Sequence, residues 1–148
     1  MLKLAAIAPE LSELERAMKA GGKKGDIPPS RMSLLRAILE EAKGVVERGL
    51  ALWKHEGRDP LPDDVLRISF LEPYCVTYPD ERGVSQMVEI TTYKGLYDFL
   101  LRLFTRVQKE EMHSQEAHDT LNQIKHTTRS HSVRALAHGG VDGKISVG

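Results

Sequence analysis

The 148-residue chain has the length of one ordinary domain, and its 41% hydrophobic and 28% charged residues exclude a wholly disordered, collagenous or coiled-coil protein. Its 21 Lys and Arg balance its 21 Asp and Glu, so no overall field draws the molecule to nucleic acid or to an anionic membrane. A single cysteine, Cys75, excludes an internal disulfide and a thiolate zinc site, and points to a soluble protein of the reducing cytoplasm.

At the N-terminus, residues 1–8 (MLKLAAIA) have a faint signal-peptide character, but Pro9 and Glu10 end the apolar run before a full hydrophobic region. No other run approaches the roughly 18–20 apolar residues of a membrane span. From Pro9, Leu11, Leu14, Ala17 and Met18 fall at helical spacing. Gly21-Gly22 should stop this short amphipathic helix, and GGKKGDIPPS reads as a linker. Residues 1–20 are therefore expected as a helical arm. A helix so short is marginal alone, so its stripe should dock on this chain or on a neighbour.

A second helix, capped by Ser30 or Ser33, carries Met32, Leu35, Ile38, Leu39, Ala42, Val45, Val46, Leu50 and Trp53 on one face and ends before Gly57. The period then changes to two. Leu66, Ile68 and Phe70, then Tyr74, Val76 and Tyr78, then Val84, Val88 and Ile90 alternate with polar residues, with Pro73 between the first two runs. Two or three antiparallel strands are expected, with a hairpin turn at Pro79-Asp80-Glu81-Arg82-Gly83 that places Gly83 in the left-handed region. After Gly95, Leu96, Phe99, Leu100, Leu103, Phe104 and Val107 form another helical face. Ala117, Leu121 and Ile124 continue its seam, while Glu110 and Ser114 interrupt it. Residues 108–128 thus read as a helix that leaves the core.

Five of six histidines lie between His113 and His138. His118 and His126 share a helix face but stand about 12 Å apart along it, too far to ligate one ion. The single Glu110-x-x-His113 lacks the second copy that a di-metal bundle requires. Loop residues His55, Glu56, Arg58, Asp59, Asp63 and Asp64 are the best acid–base candidates, and they read more simply as polar loop. Cys75 has no His or Lys near it in sequence and reads as a buried, inert thiol. Nucleophile-elbow, zincin, Walker and Rossmann patterns are absent from the sequence.

The elements together predict an α+β fold: two long helices packed on a small antiparallel β-sheet of two to three strands, with an N-terminal helical arm and a polar C-terminal helix extension. The expected organisation is an arm (1–20), a linker (21–30), a single α+β domain (31–128), and a short helix with a tail (129–148). The expected function is a non-enzymatic interaction or assembly module, an adaptor that self-associates as a homo-oligomer through exposed amphipathic helices and binds another protein. Leu11, Leu14, Met18, Val107, Ala117, Leu121 and Ile124 form its interface, and no catalytic group, cofactor or metal is assigned. Residues 107–119 carry a net charge of −3 and residues 120–148 one of +3, which favours antiparallel pairing of the extended helix. The alternative is a nucleic-acid-associated protein using Lys23, Lys24, Lys125, Arg129 and Arg134, a weak signal without interleaved aromatics. An enzyme built on the 55–64 loop is the third reading.

Overall fold

In a computed structural model of the protein, the described residues are 9–23, 29–53 and 66–137. They form α1 (Pro9–Lys23), α2 (Pro29–Trp53), β1 (Ser69–Pro79), β2 (Ser85–Thr92), α3 (Tyr93–Gln108) and α4 (Ser114–Ala137). The fold is α+β, as expected, with a two-stranded antiparallel sheet. Helix α2 packs most extensively on α3, α4 lies against β1, and α1 rests on α2. Their apolar faces close one continuous core that includes Leu35, Ile38, Val45, Tyr74, Val76, Leu100, Phe104, Leu121 and Ile124. No helix among the described residues is long and apolar enough to cross a membrane.

The arm docks in cis. Leu11 and Met18 are buried and Leu14 packs against the core, and each fully buried side chain of this size contributes about 1.5–3 kcal/mol. The Tyr97 hydroxyl donates to Glu10 Oε1 at 2.8 Å, and Lys43 pairs with Glu15 at 3.7 Å. Helix α1 also runs two residues past Gly21. Two glycines cost a helix about 2 kcal/mol at most, a sum that burial of the apolar stripe offsets.

The strand series resolves into two strands among the described residues. The run around Phe70 and the run around Tyr74 join across Pro73 into β1, with an irregular stretch between the Ser69↔Thr92 and Tyr74↔Ile90 pairs. Proline has no N–H to give a ladder, so it sits where the ladder is already broken. Alternation then turns Tyr74 and Val76 inward and Cys75 outward. The expectation of a buried thiol is corrected: Cys75 is exposed. At the hairpin tip Gly83 has φ 81° as expected, and Asp80 exchanges backbone hydrogen bonds with Gly83 and Val84.

Helix α3 starts two residues before Gly95, because the Thr92 hydroxyl caps it by accepting from the Gly95 N–H at 3.0 Å. A Cβ at Gly95 would lie 3.2 Å from Ile90 Cγ2 and 3.3 Å from the capping Thr92 Oγ1, so glycine lets β2 turn closely into α3 without displacing either side chain. The expected continuous helix over 96–128 breaks at 109–113. Glu110 N–H donates to the Val107 carbonyl and Glu111 N–H to that of Arg106. These two bonds make a Schellman stop with Glu110 (φ 60°) in the left-handed position that glycine usually fills.

Candidate functional site

Two surface features stand out, one concave and one linear. The concave one is a groove of about 540 Å³ between the hairpin tip and α3, lined by Tyr78, Asp80, Glu81, Arg82, Val88, Phe99, Arg102, Leu103, Arg106 and Met112. Helical spacing creates it: Phe99, Arg102, Leu103 and Arg106 stand at i, i+3, i+4 and i+7 on one face of α3. The Tyr78 and Phe99 rings meet edge to face at 5.4 Å, and with Val88, Leu103 and Met112 they supply an apolar lining.

The charges of the groove are unevenly committed. Asp80 Oδ1 accepts from the Arg82 N–H at 2.8 Å and the Val84 N–H at 2.9 Å, and Oδ2 accepts from Gln86 Nε2 at 3.0 Å. The Val84 N–H, with help from Gln86, Arg82 and the Arg106 charge, holds its carboxyl below the usual carboxylate range. This carboxylate therefore serves the turn. The arginines are freer. Arg106 Nη1 donates to the Pro79 carbonyl at 2.6 Å, while its Nε is buried without a hydrogen-bond partner. Among the described residues, no carboxylate lies within ion-pair distance of Arg82, Arg102 or Arg106.

The linear feature is the outer edge of β2. Gln123 of α4 engages the opposite edge of the sheet at Thr77, accepting from the Thr77 N–H at 2.9 Å and donating to the Thr77 carbonyl at 2.9 Å. The backbone of Thr77 therefore faces α4 and not β2. Directly opposite residues of an antiparallel pair either exchange both bonds or turn both outward. Met87, which faces Thr77, must then present its own N–H and C=O to the free side of β2, and Glu89 opposite Cys75 does the same. Met87 is 73% exposed, and Leu71 and Val84 are the other large apolar side chains left in solvent among the described residues.

A third group packs aromatic rings between β1, α3 and α4. Phe70, Tyr74, Tyr93 and His131 stack with ring centroids 4.4–6.1 Å apart, and the Tyr74 hydroxyl bonds Thr128 Oγ1 at 2.8 Å. Burial pushes the Tyr74 and Tyr93 hydroxyls above the usual phenol range. Burial, and then the Arg48 guanidinium, holds His131 below the usual imidazole value. These side chains dock α4 on β1.

The residues expected to form an exposed interface are spent elsewhere. Leu11, Met18, Val107, Ala117, Leu121 and Ile124 are buried in the chain's own core, and Leu14 packs against it. The stop at Glu110 is the reason: it lets α4 cross its own sheet, so the seam closes in cis. The same break divides the polarised helix on which antiparallel pairing depended. Of the alternative cations, Lys125 is half-buried and Arg129 exposed on α4. Lys24 and the side chains of Lys23 and Arg134 lie outside the described residues, as do all the 55–64 loop candidates. Sequence reasoning missed the groove because Arg102 and Arg106 look like ordinary solvated positions beside an apolar stripe. No protein-family model, curated protein or solved structure matches this chain.

Proposed function

We propose that the protein is a non-enzymatic, self-associating interaction module of the cytoplasm, and that its contact is the free edge of β2 in place of the helical stripes. The observation that carries this reading is an eight-residue strand whose outward backbone groups at Met87 and Glu89 have no partner strand among the described residues. Such an edge is a template for another strand. A second copy fits it through a two-fold axis, because antiparallel pairing of a strand with itself is self-complementary. A register centred on Met87 sets methionine against methionine and Glu89 against Ser85. A register centred on Glu89 would oppose two carboxylates, which is unfavourable. The result is a four-stranded sheet, β1-β2-β2-β1, with α4 lying against each outer β1 strand and Gln123 bonded to Thr77. An exposed lone thiol at Cys75 suits a reducing compartment.

The test uses Met87→Pro. Proline removes the outward N–H and leaves the β1-β2 ladder intact, since the Met87 N–H takes no part in it. Sedimentation over micromolar to millimolar concentrations should show a wild-type dimer that dissociates on dilution and a variant that stays monomeric with an unchanged unfolding midpoint. A monomeric wild type at the highest concentration, or a dimeric proline variant, overturns the reading.

A further inference from the structure

We propose that the groove between the hairpin tip and α3 binds a small amphiphilic carboxylate, an acyl or aryl acid whose head meets the arginines and whose body lies on the apolar lining. Three observations converge on this chemistry. Arg82, Arg102 and Arg106 line one concavity, none with an ion-pair partner among the described residues, and Arg106 Nε is buried with its donor unused. Arg106 is anchored to the Pro79 carbonyl through Nη1, so the exposed Arg82 and Arg102 present the donors that an incoming carboxylate meets. Guanidinium groups receive carboxylates through paired N–H donors. Of the two acids in the lining, Asp80 has its oxygens engaged by the turn, and Glu81 makes no ion pair with these arginines.

The rest of the lining selects among anions. Val88, Phe99 and Leu103 offer a surface that a bare inorganic ion would leave unused. Three arginines against Asp80 and Glu81 leave a single positive charge, which one carboxylate neutralises and a doubly charged phosphate monoester exceeds. A cavity of about 540 Å³ lies within the roughly 300–1,000 Å³ of small-molecule sites. The site is independent of the β2 edge: none of its residues supplies an outward backbone group to that edge.

The probe is decanoate, titrated into the full chain and followed by amide chemical shifts and calorimetry. Acetate supplies the head without the body, and decyltrimethylammonium the body with the opposite charge. Decanoate should bind once per chain, shifting Val88, Phe99 and Arg102, at least tenfold more tightly than either comparator. Arg102→Gln and Arg82→Gln should each weaken decanoate several-fold and leave decyltrimethylammonium unchanged. Arg106→Gln is avoided as the sole variant because Arg106 also holds Pro79. Met87→Pro should bind decanoate like the wild type, which separates failure of this site from failure of self-association. Equal affinity for the two charge types, unchanged affinity in both arginine variants, or no saturable decanoate binding overturns the proposal.

Discussion

Glu110 occupies a backbone conformation that costs an L-residue about 1–2 kcal/mol, and its ion pair with Arg31 at 3.1 Å has its carboxylate 68% exposed. Exposed pairs contribute about 0–1 kcal/mol, so the strain outweighs the pair. Glu110→Gly should therefore stabilise the protein by about 0.5–1 kcal/mol, read as a raised urea midpoint; a lowered one would mean the Arg31 contact dominates. His131 acts in the opposite sense. Its folded-state pKa lies below the ordinary 6.5, so the unfolded chain takes up the proton first as pH falls. The stabilisation is full above about 6.5 and declines below it, until the depressed folded value is passed. Urea midpoints should drop from pH 7.5 to pH 5.5, and His131→Gln should show a shallower drop than wild type. Equal slopes would remove His131 as a source of acid sensitivity.

At the scale of elements, α4 is the piece whose placement most alters the functional reading. A helix carrying Ala117, Leu121 and Ile124 on one side is compatible with a partner in trans or with its own sheet, and helical period alone does not separate the two. Burial decides. Leu121 is 1% exposed, so Leu121→Ala should lower folding stability by about 2–5 kcal/mol without first dissociating a dimer. Sedimentation and chemical denaturation on the same sample check this: a fully folded, stable monomer would restore Leu121 to an intermolecular contact. Gln123 shows why α4 belongs where it lies, since one side-chain amide satisfies both the N–H and the C=O that Thr77 on the outer edge of β1 would otherwise leave unpaired.

At the scale of the molecule, α4 lies against β1 and bonds its outer edge at Thr77, while no strand among the described residues lies on the outer edge of β2, and the proposed self-association follows from that difference. Two strands are few for independent stability, and here α4 lies against β1 and α3 against β2. Pairing two such sheets adds backbone hydrogen bonds and buries Met87 while requiring no rearrangement of the core. The affinity should be modest, because one strand pair buries less than the standard interface area. Dilution in the micromolar range is accordingly where the wild-type mass is expected to change and the Met87→Pro mass is not.

Periodicity by itself determined the type and order of the elements as far as Val107. The six-turn stripe of α2, the alternation in β1 and β2, the Pro79–Gly83 turn and the Leu96–Val107 face are all local patterns, set by which positions must share one side of a helix or strand. Tertiary structure alone decided what those faces meet. The stop at Glu110 carries no glycine signal, and its hydrogen bonds exist only once the chain has turned. Leu11 and Leu121 have the same spacing whether buried in cis or in trans. The exposure of Cys75 depended on which side of β1 the helices covered. The groove required Arg82 and Arg102, twenty residues apart in sequence, to reach one concavity, and which edge of the sheet met α4 was settled only when Gln123 reached Thr77. Sequence pattern records the demand for burial, and only the folded chain shows which surface met it and which was left over.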